Sequence, residues 1–135
     1  MPILEWNDEF SVHNNEFDDH HKRLLELLNK TYDEFICGAD NDSLLPILEE
    51  MLKYAEHHFS AEEQWMEQHN YPRLGKHRGE HEYFIGRVSA MHQEFLNGHK
   101  TMSLEVLTFL KSWLSTHILG SDAGYSQFIL ANELK

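Results

Sequence analysis

Residues 54–81 read YAEHHFSAEEQWMEQHNYPRLGKHRGEH, and this stretch decides the fold. His58 and Glu62 stand four residues apart, the pattern breaks at Asn70-Tyr71-Pro72, and His77 and His81 again stand four apart. On an α-helix, positions i and i+4 lie one above the other on the same face. The stretch therefore predicts a helical hairpin that brings two donor pairs to one place. Imidazole together with carboxylate suits iron, zinc or manganese rather than calcium or magnesium. A carboxylate inside an apolar stripe is costly unless it is paired or bound to a cation. Glu62 thus says more than any single histidine.

Working outward, the helix that carries His58 and Glu62 starts near residue 43 and runs to 69. Its apolar stripe is Leu44, Leu48, Met51, Leu52, Ala55, Phe59 and Met66. Pro46 is tolerable in the first turn, where its missing N–H is not needed. Before it, His21, Leu24, Leu25, Leu28, Tyr32, Phe35 and Ile36 recur at helical spacing, predicting a first helix over about 17–37. Asp18 or Asp19 would serve its N-terminus, and Gly38 to Asp42 supplies turn chemistry. Residues 1–16 lack periodicity and read as an arm that lays Trp6, Phe10 and Val12 over apolar surface.

After the hairpin break, a third helix is predicted over about 73–97. Leu74, His77, His81, Phe84, Ile85, Val88, Met91 and Phe95 share one face, and Asn97-Gly98 terminates it. A fourth covers about 103–119, with Val106, Leu107, Leu110, Trp113, Leu114 and His117 facing inward. Gly120 is expected to break it, with Asp122 just beyond and a short final helix from Tyr125 to Leu134. The reading is all-α: an up-down-up-down antiparallel four-helix bundle with an N-terminal arm and a short C-terminal helix, in a single domain over 1–135.

The donor pairs meet only if they stand at one height in the bundle. In an antiparallel bundle, two positions are level when the turn between them falls midway. His21 and the centre of the His58/Glu62 pair have a midpoint near position 40, in the first turn. The centres of the His58/Glu62 and His77/His81 pairs have theirs near 70, and the His77/His81 centre and His117 have theirs at 98. All three fall on breaks chosen independently, and an error of two positions is only about 3 Å at about 1.5 Å rise per residue. His21, His58, Glu62, His77, His81 and His117 should share one level, and Asp122 can fold back to it. Five imidazoles and two carboxylates are too many for one tetrahedral zinc. They suit two octahedral-leaning ions bridged by both carboxylates, iron first, with manganese or zinc as substitutes.

Composition sets the outer bounds. The chain has 135 residues, 41% of them hydrophobic, with three prolines and seven glycines, which suits one globular domain with long helices. A net charge of −12 argues against nucleic acid and anionic lipid as partners. One cysteine, Cys37, excludes an internal disulfide and a cysteine-based metal cluster, and is expected to be a buried thiol near a helix end. No apolar run approaches the roughly 18 residues of a membrane span, and no N-terminal signal is read. Neither membrane insertion nor export is expected, so the location is taken as cytoplasmic.

The remaining histidines are read more plainly. His13, His69, His92 and His99 fall outside the cluster and suit surface or boundary roles. His20 and His57 each precede a proposed ligand, about 100° off its face, and suit outer or solvent positions. Trp65 and Trp113 read as core. The doublets Glu49-Glu50 and Glu62-Glu63 should each turn one acid outward. Two rival motifs compete for the same residues. His77-Arg78-Gly79-Glu80-His81 matches the H-x-x-E-H pattern of certain zinc peptidases, with Glu80 as general base. A ferritin-like di-iron oxidase would want two Glu-x-x-His motifs, and the chain has none.

Four stretches now stand together: Phe17-Asp18-Asp19-His20-His21-Lys22-Arg23-Leu24, His58-Phe59-Ser60-Ala61-Glu62-Glu63, Tyr71-Pro72 leading to His77-x-x-x-His81, and Trp113-Leu114-Ser115-Thr116-His117-x-x-x-x-Asp122. In this order and spacing the sequence resembles the bacterial members of the hemerythrin family. The resemblance implies a four-helix bundle with a non-haem di-iron centre that binds O2 reversibly. It implies that one iron takes His77, His81 and His117, and that the other takes His21 and His58 and keeps an open position. Glu62, Asp122 and an oxo or hydroxo group would bridge the two irons. Phe59, Trp113, Leu114 and Ile118 match positions that line the family's O2 pocket, and Leu24 and Leu25 are expected to close it. Two departures stand out: His20 replaces a frequent Gln, and His13 replaces a common Gly.

The expected function is O2 carriage, storage or sensing rather than catalysis. The alternative is a di-iron redox enzyme, a peroxidase or NO-processing protein, using the same centre. Sensing would require a signalling domain in fusion or in trans.

Overall fold

The turns explain the architecture of the computed structural model, which describes residues 3–98 and 104–132. Helix α1 spans Asn15–Ile36, α2 Asn41–Gln68, α3 Leu74–Leu96, α4 Leu104–Thr116 and α5 Ala123–Ala131. A six-residue π-helical turn, His117–Asp122, joins α4 to α5. There is no strand among the described residues, and the all-α bundle expected from the sequence is the fold found. Residues 99–103, where the start of the fourth helix was expected, and the last residues of the expected final helix lie outside the described residues.

Helix starts and stops follow local chemistry. The Asn14 side chain caps α1 by accepting the Phe17 N–H at 3.1 Å, and Asp40 caps α2 through Ser43 at 2.9 Å. At the end of α1, Gly38 turns with φ +85°. Its N–H donates to the Phe35 carbonyl, and the Ala39 N–H donates to Glu34 at 2.9 Å. This is the paired closure that needs a left-handed residue after the cap. The same pattern ends α2, with Asn70 at φ 56° and the Tyr71 N–H donating to Met66. Asparagine tolerates that conformation better than most residues.

Two expectations change here. Helix α1 starts at Asn15, and Asp18 does not cap it. Its carboxylate instead ties down the arm, accepting from the Val12 N–H at 2.8 Å and the Ser11 hydroxyl at 2.7 Å. Cys37 is exposed rather than buried, because it is the C-cap itself, at the point where the chain turns away from the core.

The main core fills the half of the bundle nearer the Gly38 turn. Leu28, Leu48, Met51, Val88, Leu107 and Leu110 are fully buried there. A second cluster at the opposite end joins Val12 and Phe17 to Met66, Tyr71, Tyr125 and Ile129. The arm adds Phe10 over Leu25 and Ile118. It is also pinned through Asn29, which exchanges two hydrogen bonds with the Leu4 backbone at 3.0 and 2.8 Å. The polar cluster lies between the two cores.

Candidate metal centre

Three helices and the π turn place seven polar side chains in one buried group. His21 comes from α1, His58 and Glu62 from α2, and His77 and His81 from α3. His117 and Asp122 are the first and last residues of the π turn. All seven are at most 4% exposed, and His58, Glu62 and Asp122 are fully buried.

The turn type matters. Five residues apart on an α-helix means about 140° of divergence. A π turn, closed by i→i+5 bonds, brings such residues back to one face. His117 Nε2 accordingly sits 3.3 Å from Asp122 Oδ1. Gly120, expected to break the helix, instead lies inside this turn.

The two carboxylates divide their oxygens. Glu62 Oε2 faces His58 Nε2 at 3.3 Å and His21 Nε2 at 3.6 Å. Glu62 Oε1 faces His81 Nε2 at 3.3 Å and His77 Nε2 at 3.7 Å. Asp122 repeats the pattern, with Oδ2 at 3.1 Å from His21 and Oδ1 at 2.7 Å from His77. Each acid therefore spans two histidine groups, one of two imidazoles and one of three. Glu62, His77, His81, His117 and Asp122 form one set with a donor atom each close enough to share an ion, and His21, His58 and Glu62 form another.

These donors fit cations. The Nε2 atoms of His21, His58 and His77 and all four carboxylate oxygens are buried without a hydrogen-bond partner. His81 Nε2 and His117 Nε2 lie 3.1 Å apart. Each of those rings donates its Nδ1–H to a carboxylate, so the two Nε2 atoms need a positive charge between them, a proton or a metal ion. Donor separations near 3 Å are also what two ligands about 2.1 Å from one ion make at right angles.

Charge shifts say the same. Burial pulls His21 and His77 down, but the adjoining Asp122 and Glu62 carboxylates outweigh it and raise both to about 10. His117 rises to about 9 against its burial, through Asp122 and Glu80. His58 drops to about 4, because burial dominates there. Burial raises Glu62 and Asp122, yet the surrounding imidazoles hold both well below the usual carboxylate range.

Outer contacts fix the rings. His81 Nδ1 donates to Glu63 at 2.9 Å, and Arg78 holds that carboxylate at 2.9 Å. His117 Nδ1 donates to Glu80 at 3.0 Å, which also accepts from the Ser121 hydroxyl at 2.6 Å. These bonds hold Glu80 to about 2. His58 Nδ1 meets His20 Nδ1 at 2.8 Å. Phe59 stacks on His81 at 3.9 Å between centroids, and Trp113 stacks on His117 at 4.5 Å.

The roles of Glu63 and Glu80 are not foreseen from the sequence. Glu63 was expected to point outward, but it curls back across to α3. Glu80 serves His117 on the next helix instead of standing free as a peptidase base. The only signal in the sequence was an acid one residue from a proposed ligand. Tyr125 was missed too: it is fully buried, and its hydroxyl has no partner.

Beside the two-histidine group, Leu24, Phe59, Trp113, Leu114 and Ile118 line a narrow gap with no room for a free water molecule. Leu25 is not in that lining. Adjacent helical residues diverge by about 100°, so Leu25 faces away, packed with Phe10 against Ile118. Of the other histidines, His92 bonds Glu49 at 2.9 Å and His69 stacks on Trp65 at 4.1 Å. His13 and His57 are exposed. His99 lies outside the described residues. No described helix is long and apolar enough to cross a membrane.

Comparison with known proteins agrees with the site. The family model of the hemerythrin HHE cation binding domain matches residues 12–129. A bacteriohemerythrin of Stenotrophomonas maltophilia is 31% identical over 98% of this chain and 85% of its own. One from Clostridium acetobutylicum is 33% identical over 91% of this chain and 98% of its own. The crystal structure of a wild-type hemerythrin superposes with a TM-score of 0.87 at 25% identity, covering 93% of this chain and 96% of that one. On sequence, fold and the geometry of its buried donors, this chain belongs to the hemerythrin family.

Proposed function

We propose that this protein binds O2 reversibly at a di-iron centre, for carriage, storage or sensing. His77, His81 and His117 would hold one iron and His21 and His58 the other, with Glu62 and Asp122 spanning both. The observation that carries the reading is the division of oxygens: each of two buried carboxylates turns one oxygen to each histidine group. Bound there, the iron pair supplies the two electrons that O2 takes up and returns.

The chain's own residues make reversal feasible. Two carboxylates offset part of the charge of two cations in a site that excludes solvent. Glu63 and Glu80 keep the proton of His81 and His117 on Nδ1, so each Nε2 faces inward. Leu24, Phe59, Trp113, Leu114 and Ile118 close the side next to His21 and His58. That side has two imidazoles against three, which leaves it the place for a diatomic ligand. Keeping protons and anions out of an apolar pocket slows irreversible oxidation. The surface need not insert in a membrane or bind nucleic acid for this role, and a signalling partner, in fusion or in trans, would be required only for sensing.

The test is an absorption spectrum of the iron-loaded, reduced protein under anaerobic conditions, followed by O2 addition and argon purging. Visible bands should appear with O2 and disappear on purging. Immediate conversion to a stable ferric spectrum would favour a redox enzyme that consumes O2. Ile118→Glu, which places a carboxylate against the gap, should abolish the reversible spectrum; an unchanged spectrum would refute the pocket assignment.

A further inference from the structure

The outer nitrogens of the cluster histidines are not treated alike. His81 and His117, in the three-imidazole group, each hydrogen-bond a carboxylate, Glu63 at 2.9 Å and Glu80 at 3.0 Å. In the two-imidazole group, His21 Nδ1 is buried with no partner. His58 Nδ1 meets another imidazole, His20, at 2.8 Å. At that distance one nitrogen must carry the proton and the other must accept it. His58 Nε2 faces Glu62 Oε2 inside the cluster, and as a metal ligand it must present a lone pair. The shared proton then sits on His58 Nδ1, and His20 accepts it.

We infer that His20 is the positioning residue for His58: its Nδ1 accepts the His58 Nδ1–H, fixes the ligand tautomer, and, as a neutral acceptor, leaves the two-histidine side the weaker electron donor of the centre. This rests on the metal-centre reading above. A carboxylate acceptor pulls the imidazole toward its anion and makes Nε2 more basic, whereas a neutral acceptor does so far less. The asymmetry is thus built into the outer contacts as well as into the number of ligands. His20 is held for this task by its neighbours: its ring packs edge-on to Tyr54 at 5.8 Å and to His57 at 5.4 Å, and tilted against Phe17 at 5.8 Å.

Three substitutions separate the parts of the claim. An Asn Oδ1 stands as far from its backbone as a His Nδ1, so His20→Asn keeps a neutral acceptor. His20→Asp keeps the position and adds charge, and His20→Leu removes the acceptor. In the zinc-loaded protein, which is diamagnetic, 15N NMR should show a protected His58 Nδ1–H coupled across the bond to His20 Nδ1. His20→Leu should lose the protected proton and weaken metal binding by about tenfold or more, and His20→Asn should restore both. In the iron-loaded protein, His20→Asp should convert from ferrous to ferric in air several-fold faster than His20→Asn. A His58 proton on Nε2, or a His20→Leu protein with native metal affinity, overturns the positioning role. Equal oxidation rates for Asp and Asn overturn the electronic part. The zinc measurement needs no O2, so a failed hydrogen bond is distinguishable from a failed oxygen-binding function.

Discussion

The two halves of the bundle are equally buried and chemically opposite. Toward the Gly38 turn, Leu48, Met51, Leu107 and Leu110 have no exposed surface. Toward the Asn70 turn, neither do His58, Glu62 and Asp122. In the first half the buried side chains are apolar apart from Thr31, whose hydroxyl donates to the Leu27 carbonyl at 2.8 Å, and burial by itself favours folding. In the second, buried polar atoms lack protein partners, and burial is unfavourable until a cation supplies the missing contacts. The same four helices therefore carry a foundation that is stable alone and a site whose stability depends on what it binds. Substitutions should separate the two.

Glu62→Gln should give the largest effect. Glu62 offers one oxygen to each histidine group from the interior of α2. Replacing one oxygen by an NH2 group, which cannot ligate, should reduce bound iron from two per chain to a small fraction, measured by elemental analysis. The helical circular dichroism should persist, because the apolar half is untouched. Native iron content in this variant would break the division of roles.

Leu110→Ala tests the other half. Leu110 is fully buried in the main core, and losing such a side chain typically costs about 2–5 kcal/mol. Urea unfolding of the metal-free protein should show that loss, while the iron-loaded protein should retain its full metal content. A fall in stoichiometry would mean that the halves are mechanically coupled.

A pH series on chelator-treated protein sharpens the comparison further. His21 and His77 at about 10 and His117 at about 9 lie above the ordinary histidine value of 6.5. Their stabilising contribution is complete below about pH 6.5 and is lost as pH rises through 9 to 10. Glu62 and Asp122 are depressed, so theirs is present above ordinary carboxylate values and is lost as pH falls below them. His58, lowered to about 4, acts in the opposite sense to the other histidines and disfavours the fold as pH falls from 6.5 toward 4. The metal-free protein should thus lose stability between pH 6.5 and about 10. The metal-loaded protein should not, because cations replace those protons. The check is the urea midpoint at both ends of that window, with and without metal; parallel curves would contradict the assignment.

How much of this was legible in the sequence depends on how far each feature reaches. The i,i+4 pairs and the turn positions are properties of one helix or one loop, and they were enough to bring all seven donors to one level. Glu63 and Glu80 could not be assigned, because their partners His81 and His117 lie on other helices, and the rotation of each helix about its axis is a tertiary property. Gly120 misled for a related reason. Glycine disfavours a helix interior, but the packing of His117 and Asp122 into one cluster selects a π turn that keeps the chain helical through it. Leu25 was misplaced by about one residue's rotation, and Cys37 because it caps α1 where the chain turns away from the core.

The smallest expected effect is in the arm that covers the polar half. His13 has φ 59° and an exposed side chain, so its conformation is a backbone cost without a packing return. Its N–H donates to the Ser11 hydroxyl at 3.2 Å, and that hydroxyl in turn donates to Asp18, so the turn is held from both sides. A left-handed residue other than glycine costs about 1–2 kcal/mol. Glycine removes that cost but gains freedom in the unfolded chain, worth roughly 0.5–1 kcal/mol. His13→Gly should therefore stabilise the protein by less than about 1 kcal/mol, and His13→Val, branched at Cβ, should destabilise it by more than the glycine gains. Both should leave iron content unchanged, because the arm touches the site only through its apolar cover. Urea midpoints at unchanged slope would measure the pair. A metal loss in either variant would show that the turn at His13 holds the donors themselves in place, and would extend the polar half into the arm.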